Sequence, residues 1–98
     1  MTFNLQFTEM AQEDLRELKH SSHAKKRYEA VTKALKFLSQ NPRHPGLQTH
    51  KFISLRGPGG EEVFEAYAEH NTPTAYRLFF FYGPGLREIT ILTITSHP

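Results

Sequence analysis

Phe3, Leu5 and Phe7 alternate with Asn4 and Gln6, the period-two pattern of a strand with one buried face. The period then lengthens. Ala11, Leu15 and Leu18 recur at helical spacing, Thr8 offers a capping hydroxyl, and Glu9, Glu13 and Asp14 lie where a helix dipole favours acids. A helix over 9–20 follows. Ser22 is placed to cap a second one, over 23–40, in which Ala24, Tyr28, Val31, Leu35 and Leu38 step by four, three, four and three residues. Pro42, Pro45 and Gly46 in NPRHPG then stop the helix.

From Leu47 the period returns to two, and turn residues recur at strand-like intervals. The candidate strands are 47–55, closed by GPGG; 62–69, closed by NTPT; 75–82, closed by GPG; and 88–96. Short links favour antiparallel hairpins. AYRLFFFY at 75–82 is apolar on both faces apart from Arg77, and ITILTITS at 89–96 puts Ile89 and Ile91 on one face and Leu92 and Ile94 on the other. Both read as middle strands. The expected fold is a single α+β domain over 1–98, in the order β-α-α-β-β-β-β, with a helical hairpin packed on a mostly antiparallel twisted sheet.

Composition narrows the chemistry. A chain of 98 residues buries roughly 60 to 65% of its unfolded surface, enough for one core. Without cysteine there is no disulfide framework, no thiolate zinc site and no thiol nucleophile. MTFNLQFTEM has neither the basic start nor the apolar run of a leader, and no stretch reaches the ~20 apolar residues of a membrane span. A soluble cytoplasmic protein is expected.

Net charge is only +2, but it is segregated: residues 16–56 hold ten Lys or Arg against two Glu, a balance of +8, while the rest hold two Arg against eight acids, a balance of −6. Such asymmetry suits an acidic or polyanionic partner. A solvated helix face is the plainer explanation of the same basic residues.

Arg77 is the first candidate for chemistry, because a permanently charged guanidinium in an apolar strand is costly unless it is paired or used. An ion pair with Glu65 or Glu69 on the neighbouring strand would account for it structurally. His97 follows Thr93 and Thr95 on one face of the last strand, and an imidazole there can exchange protons near neutrality; a frayed terminus is the alternative. Lys51 and Arg56 can hold phosphate, or simply protect an edge strand. Tyr67, Tyr76 and Tyr82 can stack a base, or belong to the core. His44, His50, His70 and His97 lack the spacing of a metal site, and GPGG and GPG need their glycines for turns, so neither metal nor cofactor is expected.

The element order, together with AYRLFFFY, a glycine turn, ITILTIT and a terminal histidine, resembles the RelE/ParE superfamily of bacterial toxins over nearly the whole chain. NPRHPGLQTHKF, EVFEAYAEHNTPTAYR and TITSHP are similar to one uncharacterised bacterial branch of it. The resemblance implies a toxin neutralised by a cognate antitoxin. It implies either an endoribonuclease cutting mRNA on the ribosome or a ParE-like inhibitor of DNA gyrase. In the nuclease branch a ribose 2′-hydroxyl attacks the neighbouring phosphate, a reaction that calls for a fixed cation, an acid and a base but no metal. Arg77 matches the arginine of the family's "YR" motif, His97 its terminal histidine, and Lys51 a basic position that contacts RNA. Many members carry a second cation in the strand before "YR", where this chain has Glu65, Ala66 and Tyr67. That departure implies weak, altered or absent activity; a non-catalytic binding protein, or a basic RNA-associated domain using residues 16–56 as its contact surface, is the alternative to the nuclease.

Overall fold

The computed structural model describes residues 2–98. β1 (Asn4–Phe7) is followed by α1 (Glu9–His20), α2 (Lys25–Gln40) and then β2 (His50–Arg56), β3 (Glu62–Tyr67), β4 (Arg77–Tyr82) and β5 (Glu88–Thr95). The strands form one sheet in the order β1-β5-β4-β3-β2. β1 runs parallel to β5 and every other neighbour is antiparallel, so the expected α+β architecture holds, with β4 and β5 interior.

The helix starts differ from one another. Thr8 caps α1 as expected, its hydroxyl accepting from the Ala11 amide at 3.1 Å. The same hydroxyl donates to the Leu92 carbonyl at 2.7 Å, tying the helix start to β5. The expected cap at Ser22 is not used. α2 begins later, with Ala24 at the N-cap and no side-chain bond, because Ala24 packs against the core and Ser21 instead serves the turn by accepting from the His23 amide.

Strand boundaries move for identifiable reasons. Pro45–Leu47 is a turn of 3-10 helix and Gln48 is left-handed at φ 48°, so β2 starts at His50 rather than at Leu47, which points into the core. The amides of Ala68 and Glu69 both donate to the Tyr76 carbonyl, which ends β3 at Tyr67. In β5 the ladder slips by one: Phe79 opposes Thr93 while Phe80 opposes Ile91. Leu92 is thus the extra residue of a bulge. The slip overturns the simple alternation, since Ile94 joins Ile89 and Ile91 on the helix side.

Both faces of the sheet are packed. On one, Val31, Ala34, Leu35 and Leu38 of α2 and Ala11 and Leu18 of α1 bury Ala66, Leu78, Phe80 and the three β5 isoleucines. On the face away from the helices, Val63, Phe79 and Phe81 are also buried, with Phe52 edge-on to Phe79 at 4.9 Å. That second layer exists because the sheet curls. Leu55, Arg56 and Pro58 line a groove together with Leu92, Thr93, Thr95 and His97, although β3 and β4 separate β2 from β5 in the ladder.

β1 is only half as long as β5, and α1 covers the remainder of that edge. The Asp14 carboxylate accepts from the Thr93 hydroxyl at 2.6 Å and from the Ile94 amide at 2.9 Å. A side chain thereby satisfies a backbone donor that has no partner strand at that point.

Candidate functional site

Arg77 opens β4, directly opposite Tyr67 of β3 on one side and Thr95 of β5 on the other. Alternation puts all three side chains on the face away from the helices. Of the two carboxylates considered for Arg77, Glu65 is the one it meets: Nη1 donates to Glu65 Oε2 at 3.0 Å. Glu69 instead accepts from Arg27 Nε at 2.9 Å and from the Tyr76 amide. The Arg77 guanidinium also lies over the Tyr67 ring, 5.4 Å from its centre, a cation–π contact. Its Nε is buried without a hydrogen-bond partner among the described residues.

Glu65 is nearly inaccessible, at 5% exposure, and it also holds His50. His50 Nε2 lies 2.5 Å from Glu65 Oε1, and Nδ1 lies 2.8 Å from the Gln48 carbonyl. Both imidazole nitrogens therefore have partners within the protein. The unit His50, Glu65, Arg77 and Tyr67, extended by His70 stacked on Tyr67 at 5.7 Å, is a continuous polar and aromatic surface.

Of the seven residues singled out from sequence, Tyr76 packs against the core beneath Arg27, and the other six divide among three places. Arg77 and Tyr67 belong to the unit just described. Arg56 and His97 line the groove of about 680 Å³ formed by the sheet's curl, beside Met10, Asp14 and Thr95. His97 is exposed and lies beyond the end of β5 at Thr95; Arg77 is not part of this groove's lining. Lys51 and Tyr82 lie elsewhere, in a recess of about 520 Å³ at the β2 edge. Lys51 bridges to Glu62 at 3.0 Å. Burial pushes the Tyr82 phenol above its ordinary value while the positive Arg43 pulls against it.

Sequence reasoning missed the contribution of His50 and of Arg43. Nothing local marks either one; each gains its neighbours from chain segments that meet only in the folded sheet. Of the four histidines considered, His50 and His70 both lie against Tyr67, while His44 stacks on Phe37 and His97 lies in the groove.

No helix among the described residues is long and apolar enough to cross a membrane. No family model matches the chain, and no curated protein matches it. Solved structures do. The YoeB dimer of Staphylococcus aureus is similar over 100% of both chains at a TM-score of 0.69 and 18% identity. A YoeB/ParE toxin of Agrobacterium tumefaciens is similar at a TM-score of 0.70 and 9% identity, over 98% of this chain and 100% of that one. A chain of the archaeal RelE-RelB complex of Pyrococcus horikoshii is similar at a TM-score of 0.64 and 20% identity, covering 97% and 94%. At such low identities with such complete coverage, the likeness is one of backbone architecture: this chain has the fold of the RelE/ParE toxin superfamily.

Proposed function

We propose that the chain is a RelE-like toxin that cuts mRNA on the ribosome and is held inactive by a cognate antitoxin. In this reading Arg77 binds the scissile phosphate, His97 exchanges the proton, and Arg56 and Lys51 add positive charge, with Tyr67 and Tyr82 available to bases. The observation that supports it is the register of β4 against β5, which pairs Arg77 with Thr95, two residues before His97, in a fold similar over nearly its whole length to YoeB and to a chain of the RelE-RelB complex. An archaeal RelE is solved in complex with RelB, and a partner of that kind, acidic and laid over the open face, fits the basic segment of this chain. Ribosomes place the activity in the cytoplasm.

The test is induced expression of the native chain and of Arg77→Ala and His97→Ala, with growth and mRNA cleavage followed together. Native protein should arrest growth and cut translated message. Each variant should lose cleavage by about 100-fold or more while keeping its circular dichroism spectrum. Equal arrest by native and variant chains would sink the nuclease.

One observation favours a second reading. Glu65 neutralises Arg77 where a nuclease needs free positive charge, which suits a toxin-derived binding protein or a gyrase inhibitor. Intact mRNA together with inhibited DNA supercoiling by the purified chain would select the gyrase version; intact mRNA and normal supercoiling would select the binding protein.

A further inference from the structure

A single hydrogen bond to Glu65 holds the Arg77 guanidinium among the described residues: Nη1 donates to Oε2 at 3.0 Å, while Nε is buried without a partner. The Arg77 side chain is 23% exposed and that of Glu65 7%, so an anion arriving from solvent meets the arginine first. Glu65 is the better supported of the two. His50 Nε2 lies 2.5 Å from its other oxygen, Oε1, and His50 is itself placed by the Gln48 carbonyl, 2.8 Å from Nδ1. Arg77 has in addition only the Tyr67 ring, 5.4 Å away.

Each partner keeps a contact when the pair opens: Glu65 stays against His50, and Arg77 stays over the Tyr67 ring. Opening therefore strips neither charge of every partner, the event that makes losing a buried ion pair so costly. The closed pair nonetheless occupies the guanidinium with a carboxylate of the same charge as a phosphodiester. Any anion that binds Arg77 has to displace Glu65, so its apparent affinity is reduced by the fraction of molecules in which the pair is open. The positive charge of the site is stored, not cancelled.

We infer that Glu65 is autoinhibitory, an internal competitor that covers Arg77 until a phosphate group takes its place, with His50 as the contact onto which the carboxylate retires. The inference rests on the reading of Arg77 as a phosphate-binding residue and assigns that site its regulation. Two neighbouring side chains then act in opposite directions. Glu65 opposes the incoming anion, whereas His50, by sharing the carboxylate, assists it. A network that served only to hold Arg77 in place would lose function on removal of either member.

Titration of the purified chain with inorganic phosphate, followed by NMR at the Nε proton of Arg77, tests it without any cleavage step. Glu65→Gln keeps an acceptor for Arg77 and removes the charge, and should tighten phosphate binding by about tenfold. His50→Leu, at a half-exposed position, leaves the carboxylate to Arg77 alone; it should weaken binding by about threefold, and it keeps the test open should Glu65→Gln fail to fold. Glu29→Gln, which removes the same charge from an exposed site on α2, should change binding by less than about twofold. In the cleavage assay Glu65→Gln should lower KM and leave kcat unchanged, because a competitor removed from the free site acts on ground state and transition state alike. Phosphate binding at Arg77 that Glu65→Gln leaves unchanged or weakens overturns the inference and leaves Arg77 as a phosphate-binding residue. Tighter binding in His50→Leu overturns it too. No response of Arg77 to phosphate in either the native chain or Glu65→Gln overturns the inference and the phosphate role of Arg77 together.

Discussion

Glu65 accepts a hydrogen bond from Arg77 across the interface between β3 and β4, so the cation that opens interior strand β4 has its counter-charge built into the adjacent strand. With Glu65 at 7% and Arg77 at 23% side-chain exposure, this is a largely desolvated pair. Removing one partner leaves an uncompensated charge, and Glu65→Leu should cost about 3 kcal/mol in urea unfolding. The double variant Glu65→Leu with Arg77→Met should recover most of that loss. Strict additivity of the two single effects would mean the two side chains are not coupled.

Asp14 closes the free half of the β5 edge. Asp14→Ala leaves the Ile94 amide and the Thr93 hydroxyl without their acceptor, a loss of about 2 kcal/mol. Hydrogen exchange should localise the effect, with the Ile94 amide exchanging faster in the variant while amides of β3 keep their protection relative to global stability. Unchanged exchange at Ile94 would show that water replaces the carboxylate without penalty.

Tyr82 contributes to the alkaline limb. Its phenol is raised above 10.0, first by burial, with Arg43 acting in the opposite direction. A raised value means the neutral form is favoured in the folded state. The stability this contributes is fully present below pH 10 and is lost as pH climbs through the higher folded value. Absorbance at alkaline pH should therefore contain one tyrosine titrating late, absent in Tyr82→Phe, and Arg43→Ala should move it later still. An earlier titration in Arg43→Ala would mean the guanidinium does not face the phenol.

Most of the architecture is legible in the one-dimensional pattern because short-range rules set it. Thr8 caps where a hydroxyl precedes a helical run, and the unbroken apolar stretch around Phe79 and Phe80 does belong to an interior strand. What escapes is decided by pairing. The bulge at Leu92 turns Ile94 to the helix side, and no alternation rule reveals a one-residue slip before the partner strand is known. For the site, a carboxylate partner for Arg77, either Glu65 or Glu69, followed from the cost of a buried guanidinium, but that it is Glu65 did not. The distribution of Arg77, His97 and Lys51 over three separate places did not, because it depends on how far the sheet curls.

The carboxylate at the end of the short first strand has a further meaning for how molecules of this chain meet one another. An unpaired strand edge is an invitation to another chain, and at Ile94 that invitation is withdrawn by a single helical side chain. A visiting strand approaching from that flank finds the amide already taken and a helix in its way. Protection of this flank thus rests on one acidic group together with the helix that carries it, so colloidal behaviour as well as folding should be watched in any variant of Asp14.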